Sequence, residues 1–164
     1  SICSTRIQTG HGVPTFQTIL DVAQTDRNAL IIADGGIKNS GDIVKSLAAG
    51  ADLVMVGSLL AGTDQTPSEK VKVDGKVYKA YRGMASKEAQ KDWRGKVSSI
   101  EGVASMVPYK GSVEHVLEEI KVGIRSGLSY SGARSIGELQ ARAMFIKQTS
   151  AGQVESSTHI KRIA

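Results

Sequence analysis

At 164 residues, with 40% apolar and 23% charged side chains, the chain has the size and balance of one folded domain with a sizeable core, not of a disordered or fibrous polymer. Its single cysteine excludes an internal disulfide and any paired-cysteine zinc spacing, and no apolar run approaches the roughly 18 residues of a membrane span. A net charge of +5 suits a phosphate-bearing ligand or a solvated surface, and 4% aromatic residues leave little for nucleic-acid stacking. A cytoplasmic protein is expected, with neither membrane nor nucleic acid as partner.

The first ten residues, SICSTRIQTG, carry that cysteine among Ser1, Ser4, Thr5 and Gly10. They predict a polar, flexible loop whose thiol is exposed enough to act as a nucleophile. A lone cysteine is otherwise a small buried hydrophobe, and that alternative stays open here. A helix is expected over about 14–25, where Phe16, Ile19, Leu20, Val22 and Ala23 recur at helical spacing. NALIIADGG then reads as a strand ending in Asp34, Gly35 and Gly36. A second helix over about 41–49, with Ile43, Val44, Leu47 and Ala48 apolar, leads to the strand ADLVMVGS, which ends in Gly57 and Ser58. Both strands are continuously apolar, so both are expected to be buried, and the alternation of helix and strand implies parallel α/β architecture.

KVKVDGKVYKAY alternates around Asp74-Gly75, the signature of a two-residue hairpin. Residues 83–111 read as a long polar lid rich in Gly and Ser. SVEHVLEEIKVGIRSGL predicts an amphipathic helix capped by Ser112, with Val113, Val116, Leu117, Ile120 and Ile124 on one face. A short helix near 135–143 follows, and the tail SAGQVESSTHIKRIA reads as loosely ordered. Two parallel strands cannot make a closed or doubly covered sheet. The chain is therefore expected to assemble with a partner, or to be the C-terminal half of something larger.

Ligands of α/β sheets gather at the carboxyl ends of the strands, and both strands here end in glycine turns. Glycine allows close backbone approach, and backbone N–H groups at a following helix start suit a phosphate. Asp34 is placed to bind ribose hydroxyls. His11, His115 and His159 have neither spacing nor partner to recommend them and read as surface residues.

SICSTR, IADGGIKNSGDIVKSLAAGADLVMVGSLLAGT, YRGMAS, EGVASMVPYKGS and IRSGLSYSGARSIGELQ occur in the order and approximate spacing of the IMP dehydrogenase/GMP reductase family. The chain resembles that family over nearly its whole length. The resemblance implies the C-terminal part of a (β/α)8 TIM barrel that assembles as a homotetramer, with an inserted hairpin and a mobile flap. It divides residues 1–164 into a catalytic loop (1–12), a flap region (81–111) and a C-terminal tail (150–164). By the same resemblance Cys3 is the nucleophile that attacks purine C2, with the Thr5 hydroxyl beside it. Ser1, Gly36, Gly57 and Ser58 contact the phosphate, which Tyr81 helps to hold, Asp34 binds the ribose, and Gly35 and Arg82 are further substrate-binding positions. The backbone of Gly83, Met84 and Ala85 lies along the base, Ala85 standing where the family has glycine. Glu101 accepts from the purine ring N–H.

Two activities of the family stay open. The dehydrogenase activates water with a flap Arg followed by Tyr, whereas KDWRGK offers Arg94 followed by Gly95 in a short loop. The tail SAGQVESSTHI resembles the dehydrogenase's C-terminal pattern, in which backbone oxygens of Glu155, Ser156 and Ser157, with the Cys3 carbonyl of a neighbouring subunit, would hold K+. The tail favours an NAD-dependent IMP dehydrogenase forming XMP for guanine nucleotide synthesis. An NADPH-dependent GMP reductase is the alternative, and a non-catalytic purine-nucleotide-binding module is a third reading. Because the chain opens at Ser1, without methionine and inside the implied catalytic loop, it is expected to need its missing N-terminal half for activity. A split enzyme joined by protein splicing and a truncated piece of a longer gene are both open.

Overall fold

The computed structural model describes residues 2–26, 28–98 and 102–157. The parallel pair expected from the sequence is present. Strand β2 (Ile32–Asp34) runs parallel to β3 (Leu53–Met55), with Ile32 opposite Leu53 and Asp34 opposite Met55. Helix α2 (Thr15–Val22) precedes β2, and α3 (Ser40–Ala48) makes the crossover between the strands. Asn39 caps α3 by accepting from the Asp42 N–H at 3.0 Å, and the Asp42 carboxylate in turn accepts from the Lys38 N–H, so side chains satisfy two amides at this helix start. Burial pushes the Asp42 carboxyl up, but the Lys45 ammonium and the Lys38 and Asn39 backbone outweigh it and hold it below the usual range.

The core lies on one side of the pair. Ala33 and Ala51 pack with Ile19 and Ala49, while Ile43, Leu47 and Ala48 of α3 meet Leu139 of α7 (Ile136–Arg142). Helix α6 (Val113–Tyr130) lies across α3, and Gly123 and Gly127 of α6 make that approach possible. A Cβ at Gly127 would come within 2.6 Å of Val44 Cγ2, and one at Gly123 would overlap Ser40. Ser112 caps α6 as expected, accepting from the Glu114 N–H.

The expectation that both strands are buried is corrected. Only Ala33 is buried and Val54 half-buried, whereas Ile32, Leu53 and Met55 are each 51% exposed. Helices cover one face of the pair, and the side chains of alternate residues project from the other.

The hairpin forms at the expected turn. β4 (Lys70–Val73) and β5 (Lys76–Tyr81) pair antiparallel about Asp74 (φ 49°) and Gly75 (φ 79°), the positive dihedrals of a type I′ turn. The stretch after it, read from the sequence as a long polar lid, has secondary structure of its own. It contains α5 (Lys87–Arg94), β6 (Gly102–Val103) and β7 (Ser105–Pro108), and β7 joins the hairpin as a third strand. Capping explains α5, since the Ser86 hydroxyl accepts from the Ala89 N–H and Gly95 ends the helix at φ 67°. The tail also departs from expectation: α8 (Ser150–Glu155) forms where Thr149 accepts from the Gly152 N–H. Between the strands and the flap, α4 (Ser58–Ala61) follows β3 directly.

Candidate functional site

Cys3 does not sit in a flexible loop. It ends a two-residue strand, β1 (Ile2–Cys3), paired antiparallel with β6, and Ser4 leads from it into the five-residue α1 (Thr5–Thr9). The thiol is exposed and donates to the Thr5 hydroxyl at 3.3 Å, so the two groups that the sequence reading placed together are neighbours.

Cys3 pairs with Gly102, and Gly102 also forms a parallel bridge with Ser86. A Cβ at Gly102 would lie 3.1 Å from the Ser86 nitrogen and 3.3 Å from the Ala85 carbonyl carbon. The strand bearing the cysteine therefore reaches the YRGMAS segment through one close-packed glycine. That segment is held at several points. The Ser86 N–H donates to the Gly83 carbonyl, the Gln90 amide donates to the Ala85 carbonyl at 3.0 Å, and the Ser98 N–H returns to the Gln90 side-chain oxygen. Met84 is exposed on this stretch, and Arg82 pairs with Asp92 of α5 at 2.5 Å.

The second half of the site lies at the carboxyl ends of β2 and β3. The register of Asp34 with Met55 brings the turns Gly35-Gly36 and Gly57-Ser58 off the same end of the sheet. Asp34 is exposed beside them, Gly35 and Gly36 have φ of 104° and 77°, and Ser58 opens α4. Tyr81 stands over Gly57 so closely that a Cβ there would be 2.5 Å from its hydroxyl. Residues 81–86 thus run from the glycine turns at one end to the cysteine strand at the other.

Other candidates lie elsewhere. Arg94 is exposed on the last turn of α5, its guanidinium 4.5 Å from the centre of the Trp93 ring. Glu155, Ser156 and Ser157 are exposed at the end of α8. Ser1 and Glu101 lie outside the described residues. A cavity of about 540 Å³ between α2 and β2 touches only Asp34 among the candidates, and it follows the open edge of β2 rather than the glycine turns. Among the described residues no group of three His, Cys, Asp or Glu could hold a metal, and no helix is long and apolar enough to cross a membrane.

Sequence reasoning missed the buried polar residues that brace this arrangement. Lys79, Ser86 and Gln90 are all buried: Gln90 bonds the Ala85 carbonyl, Ser86 caps the helix that bears Arg94, and Lys79 ties the strand that bears Tyr81 to the carbonyls of Thr63 and Thr66. The one available signal was spacing, since Lys79 shares a strand face with Tyr81.

Residues 1–159 match the family model described as the IMP dehydrogenase / GMP reductase domain. An inosine-5'-monophosphate dehydrogenase from Nitrosopumilus maritimus is 46% identical over 97% of this chain and 36% of its own length. One from Aquifex aeolicus is 46% identical over 97% of the chain and 35% of its own length. A solved structure of a Cys-to-Ala variant of GMP reductase from Trypanosoma brucei, in complex with guanosine 5'-monophosphate, superposes with a TM-score of 0.92 at 42% identity, covering 98% of this chain and 35% of that one. The chain spans about a third of the length of these relatives. With its cysteine strand, glycine turns and connecting segment matched across 159 residues, the chain belongs to the IMP dehydrogenase / GMP reductase family.

Proposed function

We propose that this chain is the C-terminal part of a (β/α)8 catalytic barrel and carries the nucleotide-binding and cysteine-bearing portion of an NAD-dependent IMP dehydrogenase. The observation that supports this most directly is the path of residues 81–86, with Tyr81 over Gly57 at one end and Ser86 bridged through Gly102 to Cys3 at the other. A nucleoside monophosphate laid along that path has its phosphate at Gly36, Gly57 and Ser58, its ribose at Asp34 and its base towards Cys3.

In this reading the Cys3 thiolate adds to purine C2 and forms a C–S bond, the Thr5 hydroxyl steadying the sulfur from 3.3 Å. NAD would accept the hydride that leaves C2, held by other parts of the barrel. Water then attacks C2, the C–S bond breaks, and the free thiolate and XMP are released. Arg94 is the flap residue proposed to take the proton from that water, on movement of α5. Glu155, Ser156 and Ser157 end α8, and backbone oxygens are the ligands that K+ takes. Glu155, Ser156 and Ser157 would hold the ion with the Cys3 carbonyl of a neighbouring copy in a homotetramer.

The exposed face of β2 and β3, with Ile32, Leu53 and Met55, and the cavity beside β2 suit coverage by the remaining barrel strands, supplied by the missing N-terminal half. The alternative GMP reductase reading, with NADPH, draws on the solved GMP-bound relative. The test is to supply the assembled enzyme with IMP, NAD and K+, then with GMP and NADPH, and to follow the reduced nicotinamide. A rise with IMP is expected and a fall with GMP would select the reductase. Cys3→Ala should abolish turnover and leave nucleotide binding. Nucleotide binding without turnover in the wild type would mean a binding module.

A further inference from the structure

Lys79 is a lysine at 2% exposure in a strand whose other lysine, Lys76, faces solvent, which calls for a cause. Its ammonium donates to the carbonyls of Thr63 at 2.8 Å and Thr66 at 2.7 Å, both in the turn that leaves α4. That turn is independently stitched to the chain beyond β7. Thr63, fully buried, bridges to Gly111, the Asp64 N–H donates to the Gly111 carbonyl, and the Asp64 carboxylate accepts from Tyr109 at 2.9 Å. A charge buried this deeply is costly unless the geometry of its partners is fixed.

The same strand face carries Tyr81 two residues on, over Gly57 at the opposite end of α4. Strand β5 therefore meets the chain on both sides of α4, Tyr81 at Gly57 before it and Lys79 at Thr63 and Thr66 after it.

We infer that Lys79 is a positioning residue for the nucleotide phosphate: its two carbonyl bonds set β5 against the turn that leaves α4 and so hold the Tyr81 hydroxyl over Gly57. This rests on the proposed nucleotide site. The hydrogen bonds make Lys79 an anchor without contact to the ligand, so its effect must pass through Tyr81.

Two measurements on the assembled enzyme test it. The first is kinetic. Lys79→Met should raise KM for the nucleotide about tenfold with kcat within about twofold, Lys79→Arg should restore most of the loss, and Tyr81→Phe combined with Lys79→Met should be little worse than either alone. A fall in kcat at unchanged KM, or effects that multiply, overturns the inference. The second reads Tyr81 without nucleotide, by fluorotyrosine NMR with its resonance assigned through Tyr81→Phe. That resonance should move in Lys79→Met more than those of Tyr109 and Tyr130. If the Met variant does not fold, Lys79→Arg carries both measurements, with a smaller shift of the same resonance expected. A Tyr81 resonance that stays put refutes the inference whatever the kinetics show. Absence of nucleotide binding in the wild type refutes the proposed function instead, and the NMR comparison still decides the role of Lys79.

Discussion

Alanine at position 57 would place its Cβ 2.5 Å from the Tyr81 hydroxyl oxygen and 3.6 Å from Cζ of the same ring. Ordinary contact begins near 3.4 Å, so about 0.9 Å of movement is required. The backbone of β5 is fixed in register by β4 on one side and β7 on the other, so the movement falls on the side-chain torsions of Tyr81. Overpacking of this kind costs about 1–3 kcal/mol. The backbone offers no separate reason for glycine, since φ is −115° and outside the left-handed region. Loss of unfolded-state freedom on Gly→Ala favours the folded chain by about 0.4–1 kcal/mol. Gly57→Ala alone should therefore destabilise by about 1–2 kcal/mol, the balance of these two effects. Tyr81→Phe removes the clashing oxygen and leaves only the 3.6 Å contact, so Gly57→Ala in that background should be neutral or slightly stabilising. Urea unfolding of the four proteins, compared at equal m-value, gives the coupling, expected at about 1–3 kcal/mol. Equal destabilisation by Gly57→Ala in both backgrounds would refute the placement of Tyr81 over the glycine turn.

Gly127→Ala should lower the thermal midpoint, since its Cβ would lie 2.6 Å and 2.8 Å from the two Val44 methyls, and Val44→Ala should recover part of the loss. Ser86→Ala removes the cap of α5 and should cost about 1 kcal/mol by denaturant unfolding. Asp64 is held below its ordinary 3.8 by Lys70 first and Tyr109 second, so the stability it supplies is present above that value and is lost as pH falls through the lower folded one. The difference in thermal midpoint between wild type and Asp64→Asn should accordingly be constant at neutral pH and close below about pH 3.8; a difference that widens there would contradict the assignment.

What could be read from the sequence followed local chemistry. Asp74-Gly75 announced the hairpin because only a few residues accept two successive positive dihedrals, and Ser112 announced α6 because a hydroxyl there satisfies a free amide. The two Gly turns at matched strand ends were legible for the same reason. The pairing of β1 with β6 was not, because two-residue strands carry no period and the partners are about a hundred residues apart. Lys79 was hidden by its type, since a strand lysine ordinarily faces water and only the turn at Thr63 and Thr66 gives it a reason to be buried. Ile32, Leu53 and Met55 misled in the other direction: their apolar character suits a face that this chain leaves uncovered. The order of α8 depended on a single Thr149 cap within a polar tail.

The central claim is that Cys3 attacks the purine held along residues 81–86. The most direct measurement is to quench the assembled enzyme during turnover with labelled IMP, digest it, and locate the label by mass spectrometry. The account predicts a purine adduct on the peptide that begins the chain, bonded through Cys3 and absent in Cys3→Ala. An enzyme that turns over with no adduct on that peptide, or that keeps its rate when Cys3 is alanine, would contradict it.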